Sequence, residues 1–130
     1  MADAGERPLR WVGPSRRELK EFPVEVQKVM GYALFLAQIG VKHPDAKPLK
    51  GHRGAGVLEV ADDFKTDTYR AVYTIRFHEA VYVLHAFQKK STRGIQTPKH
   101  ILDVVSDRLE QARRLHQEEF GSRRSKEENR

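Results

Sequence analysis

The chain has 130 residues, 38% of them hydrophobic and 32% charged, with a net charge of +6 and a pI near 9.7. That length suits one domain with a single modest core, and the charge favours an anionic partner, nucleic acid first and an acidic protein second. No cysteine is present, which excludes disulfides and thiolate metal sites; no apolar run approaches the roughly 20 residues that span a bilayer.

The basic surplus is uneven. Residues 1–56 carry ten Lys/Arg against six Asp/Glu, residues 57–100 seven against five, and residues 101–130 seven against seven. The excess therefore belongs to the body of the protein and not to a loose polybasic tail. Residues 1–8 are expected to be disordered, and the polar start MADAGERPLR lacks the apolar core of a signal peptide, which points to a cytoplasmic protein.

LRWVG is a short strand candidate ending at Gly13-Pro14. In SRRELKEF, Ser15 and Glu18 have the spacing of a capping box, in which each side chain satisfies an orphan N–H of the other's backbone. Pro23 opens a second helix, where its missing N–H costs little. Along that helix Val26, Met30, Ala33 and Ala37 share one face, widened by Val29 and Leu36, and Gly40 is a stop signal. Residues 41–56, rich in Gly and Pro, read as a loop.

Three strands follow, VLEVA, TYRAVYTIRF and AVYVLHAFQ, each rich in β-branched and aromatic residues. Thr97-Pro98 reads as N-cap and first helical residue, and Ile101, Leu102, Val105, Leu109 and Ala112 form an amphipathic stripe. The domain thus spans residues 9–115, and residues 116–130 form a charged, flexible tail. Strand, helix, helix, three strands and helix make an α+β fold with a mainly antiparallel sheet whose faces the helices cover.

A two-residue turn at His78-Glu79 would pair Phe77 with Ala80, Ile75 with Tyr82, Tyr73 with Leu84 and Ala71 with Ala86 on an apolar face. The other face would carry Arg76, Val81, Val83, Arg70, His85, Phe87 and Lys89, partly covered by the last helix. A longer or bulged turn would exchange faces, because one residue of slip inverts every side chain. The loop KPLKGHR, with Lys47, Lys50, His52 and Arg53, leads into this meander and is placed to reach the open end of the mixed face.

Such a patch suits RNA. Cutting RNA requires a 2′-hydroxyl to lose a proton, a crowded phosphate to be stabilised and the 5′-oxygen to leave protonated. Arg70 and Lys89 suit the phosphate, His85 the proton transfer near neutral pH, and Phe87 the stacking of a base. These three, Arg70, His85 and Lys89, are the catalytic candidates. Lys50, His52, Arg53, Arg76, Phe87, Lys90 and Arg93 are the RNA-binding ones. Each also has a structural reading: His85 as a structural strand histidine, Arg70 and Arg76 paired with Glu59, Asp62 or Asp67, Lys89 and Lys90 as edge protectors. Glu59 is a further carboxylate that could act as base or orient an arginine. No phosphate loop, serine-nucleophile motif or compact metal-ligand spacing is present, so neither metal nor cofactor is expected.

KPLKGHRGAGVLEVADDFKTDTYRAVYTIRF followed by VYVLHAFQKKSTRGIQTPKHILDVVSDRLEQAR resembles the phage-related, HigB-like toxins of the RelE/ParE superfamily, over roughly residues 9–115. The resemblance implies a curved, mainly antiparallel sheet with two N-terminal helices and a C-terminal helix packed on it. It also implies the toxin of a type II toxin–antitoxin pair that cuts mRNA on the ribosome and is silenced by a helix-turn-helix antitoxin. Carried over by motif, Lys50 is the PLKG lysine and Arg70 the YR arginine, while His85, Phe87, Lys89 and Lys90 lie in LHAFQKK. The last tyrosine is Tyr82, so the C-terminal catalytic tyrosine of RelE has no counterpart. Gyrase inhibition of the ParE kind and a non-catalytic, phage-derived binding module are the alternatives.

Overall fold

A computed structural model describes residues 6–89 and 97–121. Lys90 and Arg93, the turn expected before Thr97, and the sequence on either side of these spans lie outside the described residues. The elements in chain order are β1 (Leu9–Trp11), α1 (Ser15–Lys20), α2 (Val24–Gln38), β2 (Ala46–Pro48), β3 (Val57–Phe64), β4 (Asp67–Thr74), β5 (Val81–Lys89) and α3 (Lys99–His116), whose last turn continues as a π-type turn over Gln117–Gly121. The strands form one sheet in the order β1-β5-β4-β3-β2, antiparallel except for the β1–β5 pair.

The sheet is buried on both sides, as alternation along its strands requires. Tyr69, Ala71 and Tyr73 of β4, with Leu58 and Val60 of β3, face α2, whose Val26, Met30, Ala33 and Ala37 form the stripe expected from their spacing. Val57, Val72, Tyr82 and Leu84 face Ile101, Val105, Leu109 and Ala112 of α3. The three-layer α+β arrangement is therefore the expected one. The segment 41–56 differs from its loop reading, because Ala46–Pro48 pairs with Leu58–Val60 as an edge strand.

The β4–β5 register is a correction. Arg70 pairs with Phe87, Ala71 with Ala86 and Val72 with His85 as expected, but Tyr73 then pairs with Val83 and Thr74 with Tyr82. Leu84 is the extra residue of a bulge. The connection spans residues 75–80 in place of a two-residue turn. Its course is set by packing: the Phe77 ring stacks on His116 and edges onto Tyr82, and Arg7 donates to the Phe77 carbonyl. Val81 and Val83 consequently turn to α2, and Tyr82 and Leu84 to α3. These are the faces that slip exchanges.

Three local readings also change. Ser15 and Glu18 form no capping box: α1 has no side-chain cap, Ser15 is buried, and the Glu18 carboxylate is engaged elsewhere. Pro98, not Thr97, is the N-cap of α3. The third concerns residues on either side of 9–115, which make contacts with the domain. Arg7 bonds Ala37 O and Phe77 O, and its own carbonyl accepts from Gln38. Residues 116–121, read as the start of a tail, pack back: His116 bonds Glu79 at 2.7 Å, Arg10 Nε reaches Glu119 at 2.9 Å, and Phe120 lies against His116.

Candidate nucleic-acid site

Directly paired residues share a face of a sheet, so the registers define three rows on the α3 side. Lys89, Thr68 and Asp63 form the outermost, Phe87, Arg70 and Ala61 the next, and His85, Val72, Glu59 and Lys47 the third. Helix α3 covers this face from the third row onward, over Val57, Val72, Tyr82 and Leu84, and Phe87 packs against the same cluster. Three of the expected residues, Arg70, His85 and Phe87, thus meet in adjacent rows. Lys89 follows, half-buried, one pleat beyond Phe87.

Arg70 is not a free cation. Its Nη1 donates to Glu59 Oε1 at 2.6 Å, with both side chains largely buried at 17% and 14% exposed. The pairing with Glu59 anticipated as a structural alternative is present. Arg70 Nε and Glu59 Oε2 are buried without a partner, so the pair's hydrogen-bonding capacity is not exhausted.

His85 is buried and held from two helices. Its Nδ1 lies 2.9 Å from Glu18 Oε1 of α1 and 3.0 Å from Arg108 Nη1 of α3. Arg108 grips Glu18 in bidentate fashion, Nη1 to Oε1 at 2.9 Å and Nη2 to Oε2 at 3.0 Å, and Nη1 also reaches Leu84 O at 3.0 Å. The Ala86 N–H donates to Glu18 Oε1 at 3.2 Å. The two Nη1 hydrogens are satisfied by Glu18 and the Leu84 carbonyl. A proton on His85 Nδ1 then makes the Glu18 contact a hydrogen bond, whereas a bare Nδ1 would set a lone pair against a carboxylate.

The electrostatics agree with that assignment. Burial alone would push the Glu18 carboxyl up, but Arg108, His85 and the Ala86 N–H outweigh it and hold it below its ordinary range. Burial is the main reason that the His85 imidazole is held below its ordinary value; the Arg108 and His100 charges add to this, while Glu18 pulls the other way. His85 is thus a neutral imidazole near pH 7. Its ring stacks on Phe87, centroids 5.0 Å apart and planes within 28°.

The remaining candidates lie elsewhere. The loop carrying Lys50, His52 and Arg53 closes against the far end of β4, where Gly56 O accepts from Ile75 N and from Thr74 Oγ1. Gly56 has φ +85°, and a Cβ there would sit 3.2 Å from Arg76 Cα, so only glycine allows this close approach. Arg76 lies beyond the end of β4 and donates to Ala55 O at 3.1 Å. His52 is held below its ordinary value by burial and by the Arg76 charge. Arg76 is six residues from Arg70, roughly 20 Å along a strand. Among the described residues of this loop, Lys47 lies opposite Glu59 in the third row, whereas His52 lies beside Arg76 past the end of β4, so the expected gathering of the whole loop at the Arg70 end is not seen. Sequence reasoning missed Arg108 as a site residue and read Glu18 only as a cap.

Residues 17–110 match the family model described as phage derived protein Gp49-like (DUF891), well over half of the chain. The chain belongs to this Gp49-like family. No curated protein matches it. Among solved structures, a mutant of the Escherichia coli toxin RelE in the free state matches at 14% identity and TM-score 0.51, over 82% of this chain and 98% of that one. The RelBE2 toxin–antitoxin complex of Mycobacterium tuberculosis matches at 21% identity and TM-score 0.44, over 70% of this chain and 100% of that one. At such identities the likeness concerns fold, and the Gp49-like chain has the RelE-like fold that the sequence resemblance implied. Among the described residues no three His, Asp or Glu side chains are grouped to hold a metal ion, and no helix is long and apolar enough to cross a membrane.

Proposed function

We propose that this Gp49-like chain is the toxin of a type II toxin–antitoxin pair and acts as a ribosome-dependent mRNA endonuclease, held silent by a helix-turn-helix antitoxin. The observation that carries the reading is the gathering of Arg70, His85 and Phe87 in adjacent rows of a RelE-like sheet face, next to the Lys89 end of β5. Family membership and the +6 charge point the same way.

In this reading Phe87 stacks a base, Lys89 meets the negative charge that grows on the phosphate, and Arg70, paired with Glu59, backs the row behind them. His85 accepts the 2′-hydroxyl proton, the 2′-oxygen attacks phosphorus and the P–O5′ bond breaks. The departing 5′-oxygen takes a proton from the Lys89 ammonium, leaving a 2′,3′-cyclic phosphate. Lys50, His52, Arg53 and Arg76, at the far end, steer the strand or the ribosomal RNA without touching the reacting atoms.

The test is induction in cells with transcript-end mapping, wild type against Lys89→Ala and His85→Gln. Cuts within translated codons that vanish when initiation is blocked, and fall about 100-fold in either variant, are expected. Intact transcripts during growth arrest refute the reading; loss of supercoiling with whole RNA would move the assignment to gyrase inhibition.

A further inference from the structure

The ribonuclease reading leaves unexplained why a histidine facing RNA is tied into two helices. The tie involves a single ring nitrogen. Both His85 contacts, to Glu18 and to Arg108, are made by Nδ1. The buried polar side-chain atoms without a partner among the described residues are Ser15 Oγ, His52 Nε2, Glu59 Oε2, Arg70 Nε, Tyr73 OH and Tyr82 OH. His85 Nε2 is not one of them and bonds no described residue, so it is the ring nitrogen that the two helices leave unengaged.

We propose that Glu18 and Arg108 are positioning residues for His85, holding the ring with its Nδ1 proton on the Glu18 carboxylate so that Nε2 meets the RNA 2′-hydroxyl. The proposal rests on the ribonuclease reading above. The geometry does more than clip helices to a strand. A carboxylate alone would draw a second proton onto the imidazole and remove its basic lone pair; the bidentate Arg108 neutralises that carboxylate and sets a positive charge beside the ring. The result is a base fixed in tautomer and orientation and kept neutral. Among the described residues, one further charged group bears on the ring. His100 comes from α3. On β4 the residue opposite is Val72, with the Glu59–Arg70 pair lying beyond it. Phe87 fixes the ring plane.

Two measurements on the full chain test this. Long-range 1H–15N spectra of wild type should show the His85 proton on Nδ1 and an unprotonated Nε2. Ribosome-dependent cleavage, followed from pH 5 to 9, should lose rate on the acid side as His85 is protonated. Glu18→Gln, which keeps the acceptor and removes the charge, should move that limb about one pH unit lower; Arg108→Gln should move it about one unit higher. A merely structural clip would lower the rate with the folded fraction and leave the limb in place.

A proton found on Nε2, or limbs unmoved in variants that still fold, overturns the proposal while the ribonuclease reading stands. Should Arg108→Gln fail to fold, Glu18→Gln alone decides. Wild type that cuts no RNA sinks the ribonuclease reading, and this proposal with it.

Discussion

Replacing Arg70 is the obvious functional test, and its physical consequence is larger than the loss of one cation. The Arg70–Glu59 pair is close to buried, with Nη1 and Oε1 2.6 Å apart and side chains only 17% and 14% exposed. In Arg70→Met, Glu59 keeps its charge but loses its counterion, while its Oε2 already lacks a partner. Breaking a buried pair from one side costs about 3–5 kcal/mol; with residual exposure on both members, about 3 kcal/mol is the appropriate figure. The double variant Glu59→Leu with Arg70→Met removes both charges and replaces them with apolar bulk, which is near neutral or stabilising. Urea unfolding at pH 7.5 measures both. With a slope of about 1.5 kcal/mol per molar urea for a domain of this size, Arg70→Met should lower the midpoint by about 2 M. The double variant should lie within about 0.5 M of wild type, a non-additivity expected of direct contact. A single variant less than about 1 kcal/mol below wild type would refute the reasoning, because the pair would then behave as a solvated surface contact. Activity loss in Arg70 variants is therefore to be judged against the double variant.

Two further predictions follow from charged groups. Glu18 is held below its ordinary range, so its stabilisation is fully present above the carboxylate's unfolded value and is lost as pH falls through the lower folded value; His85, also held low, is lost as a neutral partner in the same direction. Stability measured by urea between pH 7 and 3 should fall steadily for wild type, and Glu18→Gln should flatten the part below about pH 4.5. Truncation after Leu115 removes His116, which is packed between Phe77 and Phe120 and bonded to Glu79; it should lower stability by about 2 kcal/mol, read as a drop of several degrees in Tm. An unchanged Tm would return residues 116–121 to the status of a passive tail.

How much of the candidate site was legible depends on the distance over which its contacts are made. The pairing of Arg70 with Phe87 and of Val72 with His85 could be written down from alternation, because both lie on strands consecutive in the chain. The bulge at Leu84 could not, since it arises where the connection folds Phe77 onto His116, 39 positions later. Glu18 illustrates the same limit. Its spacing from Ser15 is that of a capping box, yet the carboxylate is claimed by Arg108 and His85, 90 and 67 positions away. The Arg108 guanidinium offers the carboxylate a bidentate, charged partner, and the Ser15 N–H is already taken by Val12 O.

The sequence by itself determined the α+β class, the one-sided stripes of α2 and α3, the three long strands and the family, because these rest on local periodicity and on motifs contiguous in the chain. Only the tertiary structure decided which cations belong together, that Arg70 is bound to Glu59, and that His85 is held by Glu18 and Arg108. Those facts depend on register and on side chains reaching between layers. The bulge at Leu84 likewise decides which layer Val81, Tyr82 and Val83 face, and nothing in the local pattern records it.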